Sequence, residues 1–239
     1  MVDIKTNKKK RSWLFIFAIA FAIAIAKASI SYFSPSTKSS VEAEINRFPV
    51  VKLLLGQHPE LREQFILDAI TIDNHDPDYN AAILRQGQLI QTYFGQYITQ
   101  ASDESIISFV EQRLSIVEEI RKNSPESCPD FINGRLPKIG NIVSISSIKK
   151  MLDIMGRIVE TAIKNPQPKT DPEWAEARLQ QVWDAIDAKN DPNFTFELDD
   201  PSIKPENICH SETLIYKTIQ ETLPANEVGA VFRYMLTPE

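Results

Sequence analysis

Apolar residues recur along this chain at intervals of three and four. The clearest run lies between Ser102 and Asn123, where Ile106, Val110, Leu114, Val117 and Ile120 share one helical face. Ser102-Asp103-Glu104-Ser105 supplies a cap and acids for the positive end of that helix, and Arg121-Lys122 supplies cations for its negative end. Ser144 to Asn165 repeats the pattern with Ile148, Leu152, Met155, Val159 and Ala162. Three further helices open on a proline, two of them after a capping aspartate. His58-Pro59-Glu60 leads into Leu61, Phe65, Ala69 and Ile72, and Asp76-Pro77-Asp78 into Ile83, Gln86, Ile90, Tyr93 and Tyr97. Asp171-Pro172-Glu173 leads into Leu179, Val182, Trp183 and Ile186. Proline fits the first helical position because that position has no use for an N–H. Ser211-Glu212 is expected to open a helix carrying Leu214, Ile215, Ile219 and Leu223, with a last short helix over Ala225 to Met235.

Strand signals are nearly absent. Only Asn193 to Leu198 alternates, between Pro192 and Pro201, and a single such piece reads as an extended linker. The predicted fold is all-α: roughly seven helices in a body spanning 44–239, with halves 44–123 and 141–236 joined by an irregular bridge at 124–140.

The N-terminus obeys a different rule. Lys8-Lys9-Lys10-Arg11 is followed by an uncharged apolar run from Trp13 to Ala26, the arrangement of an export signal with its basic end kept in the cytoplasm. The apolar character continues to Tyr32 and Phe33, and Trp13 to Tyr32 would make about 30 Å of helix, enough to cross the hydrocarbon core. Lys27 lies near the outer end, where its stem can snorkel to the headgroups. This predicts a basic cytoplasmic segment (1–12), a transmembrane signal-anchor helix (13–33) and a polar tether (34–43). The alternative is a cleaved signal, with Ala24-Ile25-Ala26 or Ala26-Lys27-Ala28 as the small-x-small site. Either way the body is expected on the extracytoplasmic side of the cytoplasmic membrane.

Charge and cysteine usage sharpen that picture. The whole chain carries −6, but beyond Ala28 there are 20 Lys and Arg against 31 Asp and Glu, a net −11. A body this acidic is a poor partner for nucleic acid and is not drawn electrostatically to an anionic membrane surface. The two cysteines, Cys128 and Cys209, form an even pair in an exported chain. They are predicted to form one disulfide, closing a loop of about 80 residues and contributing roughly 4 kcal/mol.

Candidate chemistry is thin. Asp76, Asp78 and Asn80 imitate half of a calcium loop, but Ala81 stands where the turn needs glycine and Gly87 where a bidentate glutamate belongs. Ser146-Ser147-Ile148-Lys149 matches the Ser-x-x-Lys of acyl-transfer enzymes without the partner motifs or the sheet that chemistry needs. His58, His75 and His210 each fall at an expected helix start and have no zinc-ligand spacing. Asp199-Asp200 reads as a turn, and the glycines form no phosphate loop.

No catalytic residue, metal site or cofactor is therefore assigned. The reading is a membrane-tethered helical module that binds or scaffolds a protein partner. One alternative is a small envelope enzyme using carboxylates among Asp73, Asp76, Asp199 and Asp200. Another is a carrier holding an apolar ligand among Trp174, Trp183, Tyr93, Phe94 and Tyr97.

Overall fold

A computed structural model describes residues 38–71, 92–132, 142–195 and 202–237. The expected membrane helix (13–33), the expected calcium-like loop and most of the helix after Asp76 lie outside them. Among the described residues the secondary structure is helical throughout, with no strand. In chain order the helices are α1 (Lys38–Ile45), α2 (Pro49–Gln57), α3 (Pro59–Thr71), α4 (Asp103–Asn123), α5 (Cys128–Ile132), α6 (Ile145–Lys164), α7 (Pro172–Lys189), α8 (Pro205–Thr222) and α9 (Ala225–Leu236). A helical stretch over 92–98 precedes α4, and a single 3-10 turn, Pro125–Ser127, precedes α5.

The helix ends follow local chemistry. The Ser102 side chain accepts from the Ser105 N–H, Ser144 from Ser147 and Asp171 from Trp174, so each fills one of the donor sites a helix start leaves open. Asn190 ends α7 in the left-handed conformation (φ 48°), which asparagine tolerates better than most residues.

Three boundaries differ from the sequence reading. Lys38 to Ala43, assigned to the tether, are helical, and Val41 and Ile45 of α1 are buried in the core. Pro49 starts a separate helix, α2, whose Val50, Val51, Leu54 and Leu55 are all buried. The helix expected at Ser211-Glu212 begins one and a half turns earlier, with Pro205 at its first position. Ser211 and Glu212 consequently lie inside α8 and are fully buried.

The expected halves pack as one body. The most extensive helix contacts cross the 124–140 bridge, with α6 lying against both α2 and α4, and α9 against α4. One hydrophobic cluster runs from Val41 to Leu236. Two glycines set the closest approaches. A Cβ on Gly156 of α6 would come within 2.9 Å of Pro49 on α2, and one on Gly229 of α9 would overlap the backbone of Asp103 on α4. Arg233, one turn beyond Gly229, donates to the Ala101 carbonyl at 2.8 Å and pairs with Asp103, locking the C-terminal helix over the start of α4.

The disulfide is formed. Cys128, at the start of α5, is bonded to Cys209 in the second turn of α8, with Cα atoms 5.5 Å apart and both residues fully buried. It pins the bridge to α8 well inside the helix, not at the helix start the sequence suggested.

Candidate functional site

The residues singled out for chemistry have structural tasks where they are described. Ser144 caps α6, and its N–H donates to Glu119 at 2.7 Å, while the Ser147 hydroxyl also donates to Glu119. Burial pushes the Glu119 carboxyl up, but the hydrogen bonds from Ser144 and Ser147 outweigh it and hold the group below its ordinary range. Ser146 and Lys149 of the Ser-x-x-Lys match are both exposed on the outer side of α6.

His58 ends α2, packs tilted against Tyr93 with ring centroids 4.2 Å apart, and lies 3.3 Å from the Tyr97 hydroxyl. His210 meets Asp191 at 2.8 Å, tying the turn after α7 to α8. The Asn193 N–H first, and His210 second, hold the Asp191 carboxyl below its usual range. This dyad lacks a serine nucleophile: the adjacent Ser211 hydroxyl donates to the Asn207 carbonyl and accepts from the Thr195 N–H, each at 2.8 Å. Phe94 and Trp183 are core residues, and Tyr93, Tyr97 and Trp174 pack partly buried against the same core. His75, Asp73, Asp76, Asp78, Asn80, Asp199 and Asp200 lie outside the described residues. Among the described residues no group of three or more His, Cys, Asp or Glu is placed to hold a metal ion.

The structure also shows a polar centre absent from the sequence reading. Arg113 of α4 and Glu212 of α8 form an ion pair at 2.5 Å, with side chains 2% and 0% exposed. The guanidinium also lies 4.7 Å from the ring centre of Phe131 on α5, a cation–π contact in a dry setting. Tyr216, one turn along α8, packs edge-on to Phe232 at 5.5 Å. Burial pushes the Glu212 carboxyl up, and Arg113 offsets only part of that. Burial and then the Glu212 carboxylate push the Tyr216 hydroxyl up as well. The second Glu212 oxygen, Oε2, meets no hydrogen-bond donor among the described residues. Arg113, Glu212, Phe131 and the disulfide thus join α4, α5 and α8 at one buried point, out of reach of a substrate.

Among the described residues one surface groove lies between α1 and α3. It is open to solvent, encloses about 620 Å³, and is lined by Lys38 and Glu42 on one side and by Pro59, Glu60, Arg62, Glu63 and Ile66 on the other. Arg62 reaches across it to Glu42 at 3.5 Å. Beside it, on the outer side of α3, Leu67 and Ile70 are 56% and 36% exposed. Among the described residues no helix is long and apolar enough to cross a membrane. No protein-family model, curated protein or solved structure matches this chain.

Proposed function

We propose that the chain is a disulfide-stapled helical binding module, held by its N-terminal segment at the outer face of the cytoplasmic membrane, that works by contact with a protein partner. The observation that carries this reading is the use made of the reactive side chains. Ser144, Ser147, Ser211, Glu119, His210, Asp191 and Glu212 cap helices, pair with one another or lie buried, while one accessible concavity among the described residues is an open groove rimmed by charges of both signs. A buried disulfide in a chain with a basic-then-apolar N-terminus supports an oxidising compartment. The enzyme alternative depends on Asp73, Asp76, Asp199 and Asp200. The carrier alternative depends on aromatic residues that, where described, belong to a packed core or lie against it.

The test is crosslinking of the full-length tagged chain in its native host, with mass spectrometry of what is bound. One envelope protein recovered in stoichiometric yield supports the binding-module reading, and a strictly solitary monomer in its own membrane overturns it.

A further inference from the structure

The early start of α1 has a geometric consequence for a chain anchored by residues 13–33. The chain is already helical at Lys38, with Val41 and Ile45 in the core, so the link to the expected membrane helix is no longer than residues 34–37. Four residues reach at most about 14 Å when fully extended. A body of some 200 residues is roughly 40 Å across. A tether that short prevents free tumbling and turns the side of the molecule around Lys38 toward the bilayer.

That side has the surface for such a contact. Lys38 and Ile66 line the same groove, and one turn past Ile66 on α3 stands Ile70, with Leu67 beside it. These are two of four large apolar side chains left exposed among the described residues, the others being Ile145 and Ile163 on α6. Residues 38–71 hold Lys38, Arg47, Lys52 and Arg62 against Glu42, Glu44, Glu60, Glu63 and Asp68, a net −1. The rest of the chain beyond Ala28 holds 16 basic against 26 acidic residues, a net −10, so a contact with the leaflet rests on the apolar side chains of this face and on the short link, not on charge.

We infer that the α1–α3 face, led by Leu67 and Ile70, rests on the outer surface of the bilayer that anchors the chain. The inference rests on the anchored reading above. It leaves α7 and α8, which make no extensive contact with α1, α2 or α3, for the protein partner.

The full chain in vesicles of phosphatidylethanolamine and phosphatidylglycerol tests this, with a nitroxide placed singly on L67C, I70C or K217C. Cys128 and Cys209 are buried in their disulfide and leave the new thiol as the one to label. Lys217 is an exposed position on α8, a helix with no extensive contact to α1, α2 or α3. Labels at 67 and 70 are expected to relax more with oxygen than with a water-soluble nickel chelate, and the label at 217 to show the reverse. If all three favour nickel while the chain resists carbonate extraction, the docked face is wrong and the anchor stands. If carbonate strips the chain from the vesicles, the anchored reading falls and takes the docked face with it.

Discussion

The Arg113–Glu212 pair separates two effects that usually act together, the attraction within a buried ion pair and the cost of burying its charges. Glu212→Ala removes the carboxylate from a site with no exposure and leaves the Arg113 charge buried without it. Breaking such a pair typically costs about 3–5 kcal/mol. Glu212→Gln keeps the shape and keeps an oxygen that can accept from the Arg113 Nε–H. Because burial penalises the Glu212 charge, this change should cost clearly less than Glu212→Ala. Urea unfolding of the oxidised protein, with the two variants compared at one pH, measures both. Equal losses for Gln and Ala would mean that attraction to Arg113 outweighs desolvation, and the raised carboxyl would be refuted.

The pH dependence carries the same logic with a definite sign. A carboxyl whose pKa is higher in the folded than in the unfolded state binds more protons when folded. Its contribution is fully present below the unfolded value of about 4.3 and is lost as pH rises through the folded value. Raising pH from about 4 toward neutrality should therefore weaken the parent protein relative to Glu212→Gln. A constant difference across that window would contradict the assignment.

Four other outcomes can be checked with the same unfolding assay. Replacing Cys128 and Cys209 by serine should cost about 4 kcal/mol through the loop they close across 81 residues, and alkylation of the denatured, unreduced parent should label neither thiol. Gly229→Ala should cost about 1–3 kcal/mol, since its Cβ meets the Cβ and Cα of Asp103, atoms fixed to the backbone that no rotamer change can move away. Gly56→Ala in α2, where nothing lies within 4 Å, should instead stabilise by about 0.5–1 kcal/mol. Asp191, held low by Asn193 and His210, contributes above its unfolded pKa, and that contribution is lost as pH falls through the lower folded value; Asp191→Asn should flatten this acid limb.

Most of the helical architecture was legible because its signals are local. Ser102, Ser144 and Asp171 cap where their spacing to the following apolar stripe says they should, and Asn123 and Asn165 fall at the ends of the helices they were expected to close. The misplaced start of α8 has a definite cause, which is a strong capping pattern in the wrong place. Ser211-Glu212 looks like a helix start, yet Pro205 had already started α8, and tertiary burial turned both polar residues inward. The same error hid the polar centre. Arg113 stands three residues after Val110 and four before Val117, and Glu212 stands between Ile208 and Ile215, so each interrupts the apolar face of its own helix. Two opposite charges breaking two stripes were the available signal for the pair. What no stripe could reveal is that they break at the same depth, because that depends on how α4 and α8 cross.

The surface follows the opposite rule. A core position is specified by many neighbours at once, so its pattern shows in the sequence, whereas Leu67 and Ile70 are informative because they depart from that pattern. On α3, Leu61, Phe65 and Ile66 satisfy the core, and two more large apolar residues on the outer side add nothing to it. Exposed singly they would be ordinary. Their significance depends on where the chain enters the body, and that was set by the start of α1 at Lys38, six residues earlier than the polar stretch of serines suggested. A tether of ten residues would let either side of the molecule face the membrane. With residues 34–37 alone as the link, the choice of face passes from the linker to the packing of α1 on α3.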